Sequence, residues 1–221
     1  MMSFNTLFSL VSDATLQTLI MVFFSMLFSI MLGLPVGVLL CITNPETGIW
    51  SRPVVNQLLT RIVNILRSFP FIILMMLLFP LSRILIGTTI GTAATIVPLS
   101  IAAAPFVARV IESALREVDP GVVQAARSMG SSLFQIIVKV LIPEALPSLV
   151  DGVTLTLINL IGYSAMAGAI GGGGLGDLAL RYGYQRSRTE VMVVSVVIIL
   201  VLVEVIQVIG SRISTRLVAR R

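Results

Sequence analysis

The sequence predicts an all-α membrane protein with five transmembrane helices, and two properties of its 221 residues support this. Hydrophobic residues make up 57% of the chain, and charged residues make up only 11%. Soluble domains carry about a quarter charged residues, so lipid rather than water is expected to surround most of this chain. The hydrophobic residues also fall in runs of the length that a membrane requires.

These uncharged runs recur along the whole chain. A helix needs about 20 mostly apolar residues to cross roughly 30 Å of hydrocarbon. Between Asp13 and Glu46 the chain carries no charge for 32 residues, and two later runs are uncharged for 25 residues each. A shorter run reaches span length only if it includes Arg61 and Arg67, whose long side chains can extend to the membrane surface. We predict one domain, residues 1–221, with spans at about 16–42, 58–80, 85–106, 152–171 and 190–210.

The chain lacks residues that several kinds of active site require. It has no histidine and a single cysteine, Cys41, which excludes Cys/His zinc sites and His-based catalytic triads. Its single lysine, Lys139, follows a valine, so the Gly-Lys-Ser/Thr end of a Walker A loop is absent. We therefore expect this chain not to be an enzyme. No basic residue precedes Arg52, so the first apolar run is expected to remain as a span and not to be a signal peptide.

Basic residues predict the orientation of the spans. With the N-terminus outside and the C-terminus inside, 11 of the 15 Lys and Arg residues lie on the inner side. Short cytoplasmic loops carry an excess of such residues, so the sequence predicts an N-out/C-in topology. The net charge of +5 then reflects membrane topology and not nucleic-acid binding. The four outer residues are Arg83, Arg181, Arg186 and Arg188, and the inner set includes Arg220 and Arg221.

The longest polar region, at about 107–150, contains two short predicted helices. Asp119 can cap the first helix and Pro120 fits its first position, while Gly130 is predicted to end it. The second helix begins at Ser131 or Ser132 and presents one apolar face. We predict that two prolines stop this helix, Pro143 and Pro147. Taken alone, segment 119–143 is either an amphipathic element lying on lipid or a docking element for a soluble partner.

The stretch from Gln124 to Pro143 resembles the EAA loop of ABC importer permeases. Gln124-Ala125-Ala126, three residues, Gly130, nine residues and Val140-Leu141-Ile142-Pro143 match the family spacing Glu-Ala-Ala, x3, Gly, x9, Ile-x-Leu-Pro. Gln124 stands where the family usually has a carboxylate, so a neutral hydrogen bond could replace a salt bridge to the ATPase there. The small side chains of Ala125 and Ala126 would let a partner approach closely. The resemblance implies that ATPase coupling uses Gln124, Ala125, Ala126, Arg127, Gly130 and Pro143.

Four further stretches are similar to the permease subunit of methionine importers. They cover residues 64–70, 102–109, 162–169 and 171–176, within a likeness that begins at about residue 15. This resemblance implies a type I ABC importer permease in the bacterial inner membrane that carries D- and L-methionine. It also implies a homodimer, two ABC ATPase subunits and a periplasmic or lipoprotein methionine-binding protein. ATP and Mg would then lie on the ATPase, with no cofactor in this chain. The alternative solute is an osmolyte or a polar amino acid.

Polar residues and kinks inside the spans are candidates for the solute pathway. Asn159, Tyr163, Met166 and Ile170 fall at i, i+4, i+7 and i+11, which is one stripe of a helix. These residues either line the pathway or pack against lipid and neighbouring helices. A small-residue pattern on the same helix, Ser164-xxx-Gly168-xxx-Gly172, predicts close packing. The predicted pathway residues are Ser68, Pro70, Asn159, Tyr163, Ser164 and Met166.

The run Gly171-Gly172-Gly173-Gly174-Leu175-Gly176 does not follow a strand, so it is not a dinucleotide-binding loop. We predict a turn on the outer side that needs positive φ angles, with a mobile outer gate as the alternative. Two other classes remain open for the chain. A membrane enzyme would need convergent titratable groups, and Glu204 is the only acid late in a span. A scaffold would bind partners without solute flux.

Overall fold

The computed structural model describes residues 4–219 and contains helices but no strand within them. The long helices are α1 (Phe4–Ile42), α2 (Pro53–Ser68), α3 (Phe71–Ile86), α4 (Thr92–Arg116), α8 (Leu146–Gly168) and α10 (Thr189–Val218). The short helices are α5 (Pro120–Ser128), α6 (Leu133–Ile136), α7 (Ile142–Glu144) and α9 (Gly174–Leu178), with π-helical turns at Ile137–Leu141 and Ala179–Tyr184.

Four of these helices, namely α1, α4, α8 and α10, are long and apolar enough to cross a membrane. A fifth span results only if the bent pair α2 and α3 counts as one. The span predicted at 58–80 falls on this pair, whose two helices bend by 104° where the chain breaks at Phe69-Pro70. Proline lacks a backbone N–H and disfavours helical angles in the residue before it, which explains the break.

The other span boundaries differ from the prediction in length. The first helix begins at Phe4 and not at residue 16, so charged Asp13, which limited the predicted span, lies within the helix. The span predicted at 85–106 begins at Thr92, since the chain turns at Gly87 and Gly91. The last helix continues to Val218, beyond the predicted end at 210. Two residues used to predict the orientation, Arg220 and Arg221, lie outside the described residues.

The chain divides into two compact units, and the first comprises Met1–Ser29, Phe69–Ala103 and Leu157–Gln207. One apolar cluster in this unit brings α9 against the first turns of α1 and α10. Its buried members are Ala14, Leu175, Leu178 and Val191. Burial of such side chains is the main favourable contribution to folding that this cluster makes.

The second unit comprises Ile30–Ser68, Ala104–Thr156 and Val208–Arg221. Its core joins the ends of α1 and α4 to the short helices α5 and α6. Here α1 and α4 come into backbone contact, because a Cβ added to Gly33 or Gly37 would lie within 2.8 Å of a carbonyl oxygen of α4. Glycines four residues apart allow this approach. The sequence prediction of close helix packing covered residues 164–172 and did not include Gly33 and Gly37.

Candidate functional site

The coupling segment, residues 119–143, begins with the helix that its sequence predicts. The Asp119 carboxylate accepts a hydrogen bond of 2.7 Å from the backbone N–H of Gly121, so it caps α5. After α5 the chain reverses at Gly130, which has φ of 79°. The N–H of Gly130 donates to the Arg127 carbonyl at 2.9 Å, and that of Ser131 donates to the Ala126 carbonyl at 3.1 Å. This pair of bonds is the Schellman motif, which confirms the predicted end of the helix.

The second helix begins at Ser132, as predicted, and a capping box forms its first turn. The Ser132 hydroxyl accepts from the N–H of Gln135, and the Gln135 side chain accepts from the N–H of Ser132. The prediction that Pro143 and Pro147 stop this helix is wrong. A π-helical turn, Ile137–Leu141, follows α6, and both prolines then lie at the second position of α7 and α8. A proline costs no hydrogen bond in the first turn of a helix.

The side chains of α5 divide between the core and the surface. Ala126 is 4% exposed and belongs to the core of the second unit. It therefore holds α5 in place and does not itself offer a surface to a partner, contrary to the prediction. Gln124, Ala125 and Arg127 are exposed. Two large apolar side chains of the same segment are also exposed, Met129 at 80% and Phe134 at 73%.

The loop between α1 and α2 supports α5 from one side. The guanidinium of Arg127 donates to the carbonyl oxygen of Ile49 at 2.5 Å. Within the same loop, the side-chain oxygen of Asn44 accepts from the N–H groups of Glu46 and Thr47, each at 3.0 Å. Such side-chain-to-backbone bonds define a tight turn. The position of Arg127 is thus fixed by a structured loop.

A buried carboxylate near this segment was not found by sequence reasoning. Glu112 is 5% exposed and pairs with Arg109 at 2.6 Å and with Arg116 at 3.7 Å. Arg109 also donates to the side-chain oxygen of Asn64 at 2.9 Å. A buried charge requires such partners, and the spacing i−3 and i+4 from the glutamate was the signal available in the sequence.

The predicted pathway residues of α8 lie in the first unit and face different surroundings. Tyr163 stacks on Phe71 of α3, with ring centroids 4.3 Å apart and planes within 7°. Met166 is 47% exposed, and Asn159 is half-buried. Ile170 lies beyond the end of α8 at Gly168, so the helical stripe ends at Met166.

The other three predicted pathway residues are Ser68, Pro70 and Ser164, and each has its own surroundings. Ser164 is 2% exposed, and its hydroxyl donates to the Ile161 carbonyl at 2.8 Å. Pro70 is exposed at the start of α3. Ser68 is exposed in the second unit, and its hydroxyl donates to the Asn64 carbonyl at 2.8 Å.

The glycine run after α8 forms a turn with positive φ at Gly171, Gly173 and Gly174, as predicted. Side chains of α1 hold this turn in place. The Gln17 side chain accepts from the N–H of Gly174 at 2.8 Å, and the Thr18 hydroxyl accepts from the N–H of Leu175 at 2.9 Å. These bonds favour a fixed turn over a mobile gate.

The small residues of α8 pack against this returning chain. A Cβ added to Gly168 would lie 2.2 Å from the backbone nitrogen of Asp177. The small-residue pattern therefore predicted a close approach correctly, but the partner is α9 with its flanking turn. Beyond α9, Arg181 pairs with Asp177, and the guanidinium of Arg186 lies 4.5 Å from the Tyr182 ring centre.

Known proteins identify the class to which this architecture belongs. The chain is 51% identical over 223 residues to the "Probable D-methionine transport system permease protein MetI" of Vibrio cholerae, covering 98% of this chain and 99% of that protein. It is 47% identical over 174 residues to the "Methionine import system permease protein MetP" of Bacillus subtilis, covering 79% and 78%. A solved inward-facing structure of the MetNI methionine ABC transporter matches with a TM-score of 0.94 and 46% identity, covering 98% and 99%.

The fold and these similarities thus define a membrane permease component of an ABC importer with the type I fold. A family model for "Binding-protein-dependent transport system inner membrane component" matches residues 33–221, and the chain belongs to this family. It is a multi-pass protein of the bacterial inner membrane.

Proposed function

We propose that this chain is the permease subunit of an ATP-driven importer that carries methionine, in its D- and L-forms, into the cytoplasm. The observation that carries the proposal is the likeness, over 98% of the chain, to the solved methionine ABC transporter. Relatives named for methionine or D-methionine transport support the same solute. An osmolyte or a polar amino acid is the alternative solute.

The working assembly is a homodimer of this chain with two ABC ATPase subunits. ATP and Mg bind to the ATPase subunits, and no cofactor or nucleic acid binds to this chain. A periplasmic or lipoprotein methionine-binding protein delivers the solute on the outer side. The excess of basic residues on one side of the spans supports an N-out/C-in orientation in the lipid, with five spans if α2 and α3 act as one.

The coupling segment would transmit movement from the ATPase into the permease. Its exposed surface, formed by Gln124, Ala125, Arg127, Met129 and Phe134, is the part available to dock. Ala126 anchors this surface to the core from behind. From Leu133 onward the helices follow one another into α8 with little interruption. A rigid connection of this kind can pass a displacement on, so that the pathway opens alternately to each side.

The solute would meet the half-exposed stripe of Asn159, Tyr163 and Met166. The thioether of Met166 adapts to apolar shapes, and the Tyr163 ring offers a flat apolar surface held by stacking on Phe71. Ser68, Pro70 and Ser164 are proposed to shape the pathway around this stripe. Of these, Ser164 would act through the backbone of its own helix, because its side chain is buried.

Uptake of labelled methionine tests this function. The permease, the ATPase and the binding protein are reconstituted in vesicles, and uptake is measured with and without ATP and with an excess of competing solutes. We expect ATP-dependent uptake that unlabelled methionine suppresses. Preferential suppression by an osmolyte or a polar amino acid would assign the alternative solute. Chemistry by the purified chain alone would point to an enzyme, and assembly without flux would point to a scaffold.

The variant Met166→Arg tests the pathway. The long, charged arginine side chain would obstruct the half-exposed stripe and would replace a thioether that suits the apolar side chain of methionine. We expect methionine uptake below about a tenth of the wild-type rate, with assembly unchanged by size-exclusion chromatography, whereas Met166→Leu should keep most of the rate because it preserves apolar volume. Wild-type uptake by Met166→Arg would remove this residue from the pathway.

A further inference from the structure

A cavity of about 350 Å³ lies beside the coupling segment, in the second unit. This volume is within the range of protein ligand pockets, about 300–1,000 Å³. Its apolar lining residues include Leu115 and Leu141. Its charged lining residues are Arg116, Arg127 and Glu46.

Arg127 has hydrogen-bonding capacity left for a ligand. One of its terminal nitrogens donates to the Ile49 carbonyl, while a guanidinium carries five N–H donors. In the part of the chain that the structure describes, no carboxylate lies within 4 Å of this guanidinium. The bond to Ile49 therefore fixes the direction of the guanidinium without neutralising its charge.

The charge on Arg116 is only partly compensated. It shares Glu112 with Arg109, and Arg109 makes the shorter contact, 2.6 Å against 3.7 Å. Two guanidinium groups thus face one carboxylate. The cavity is thus lined by two positive side chains, Arg116 and Arg127, and one negative side chain, Glu46, so its net charge is positive.

Gln124 adds a neutral donor beside these cations. It lines the cavity and lies three residues before Arg127, so both side chains project from one side of α5. Among the described residues its amide has no hydrogen-bond partner. A planar guanidinium and an amide N–H₂ together match the oxygens of a carboxylate, which accepts parallel bonds from arginine.

We propose that this cavity binds a carboxylate side chain, aspartate or glutamate, of the ATPase subunit. The proposal rests on the proposed function, because it assigns the chemistry of that docking contact. Arg127 and Gln124 bind the carboxylate oxygens, and Arg116 adds attraction at longer range. A protein side chain is favoured over a lipid headgroup because α5 belongs to the exposed docking surface, next to Met129. In this contact the permease therefore supplies the positive charge and the ATPase supplies the negative charge.

The first test removes the cation. The detergent-purified permease is titrated with the purified ATPase subunit at low and high salt, as wild type, Arg127→Gln and the control Lys139→Gln. Lys139 is an exposed cation of the same segment that does not line the cavity. We expect Arg127→Gln to weaken binding about tenfold or more at low salt and less at high salt. Lys139→Gln should change binding less than about twofold. Equal affinity of Arg127→Gln and wild type would overturn the proposal.

The second test supplies a competing carboxylate within the chain. Gln124→Glu places an anion three residues from Arg127, where it can pair with that guanidinium. We expect it to weaken ATPase binding about as much as Arg127→Gln does. Stronger binding by Gln124→Glu would instead indicate that this position contacts a cation of the ATPase, as the family spacing implies, and would overturn the proposal. Gln135→Glu is the matched control, because it adds the same charge outside the cavity and keeps the capping box. Equal losses in Gln124→Glu and Gln135→Glu would contradict the proposal.

A double-mutant analysis identifies the acidic residue of the ATPase that contacts Arg127. Acidic residues on the docking face of the ATPase are changed singly to their amides, alone and with Arg127→Gln. One amide change should have no further effect in the Arg127→Gln background, and additive effects for every residue would overturn the proposal.

A lipid headgroup is the other possible ligand, and nanodiscs with and without phosphatidylglycerol test it. An effect of Arg127→Gln that appears only with that lipid would assign a headgroup instead. If wild type binds no ATPase at all, the proposed function fails.

Discussion

The chain reverses or breaks at glycines in two regions, and the two regions need glycine for different reasons. A Cβ added to Gly130 would meet no atom within 4 Å, so only its positive φ calls for glycine. A Cβ added to Gly176 would lie 2.2 Å from the carbonyl oxygen of Ala165. The first region depends on its own backbone angles, whereas the second depends on a distant part of the chain.

This difference matches the proposed roles of the two regions. The joint at Gly130 leaves the coupling segment exposed on its outer surface, where Met129 and Phe134 can meet a partner. The glycine run is enclosed, since α1 side chains bond its backbone. An exposed joint tolerates a new side chain better than an enclosed one, and three substitutions test this ranking.

Gly176→Ala should have the largest effect. The added methyl would overlap backbone atoms of α8, which cannot move as a flexible side chain can. We expect destabilisation of about 3 kcal/mol, at the upper end for overpacking, measured by equilibrium unfolding in mixed micelles. Gly162→Ala is the matched control, because a Cβ there meets nothing within 4 Å and alanine favours a helix. A Gly176→Ala protein as stable as Gly162→Ala would contradict the packing explanation.

Thr18→Val should have an intermediate effect. Valine keeps the shape but removes the oxygen that accepts from the buried N–H of Leu175. Leaving a buried donor without a partner costs about 2 kcal/mol. The control is Thr15→Val, since among the described residues the Thr15 hydroxyl bonds only to the Val11 carbonyl of its own helix. Unfolding measured as above should separate the two variants, and equal stabilities would mean that the glycine turn does not depend on α1.

Gly130→Ala should have the smallest effect. The alanine must adopt a left-handed conformation, which costs about 1 kcal/mol, but no contact opposes it. Gly130→Asn should cost less, because asparagine tolerates this conformation. Both costs are measured by the same equilibrium unfolding in mixed micelles. A loss in Gly130→Ala as large as that in Gly176→Ala would remove the distinction between the two regions.

The local features of the fold could be predicted from the sequence. The cap at Asp119, the reversal at Gly130 and the start at Ser132 depend on residues within a few positions of one another, and all three are confirmed. The apolar runs predicted α1, α4, α8 and α10 because membrane spans are fixed mainly by composition.

The features that depend on tertiary contacts could not be predicted in the same way. The small side chain of Ala126 predicted a surface for a partner, yet this residue is buried because α5 packs against the ends of α1 and α4. The Glu112 cluster joins α4 to Asn64 of α2, and no local pattern indicates that pairing. The cavity beside α5 likewise requires the α1–α2 loop to fold back onto Arg127. Its lining comes from three separate stretches of chain, namely 41–49, 115–127 and Leu141.

The π-helical turn at Ile137–Leu141 has a consequence for the geometry of the segment that follows. A π-turn carries one more residue than the α-helical turn it replaces, and one residue corresponds to a rotation of about 100° around the axis. The wider turn absorbs this residue, so deleting one residue there would restore an α-helical turn and leave the direction of every later side chain nearly unchanged. The same deletion inside α8, before Tyr163, would instead rotate Tyr163 and Met166 by about 100° relative to the start of that helix.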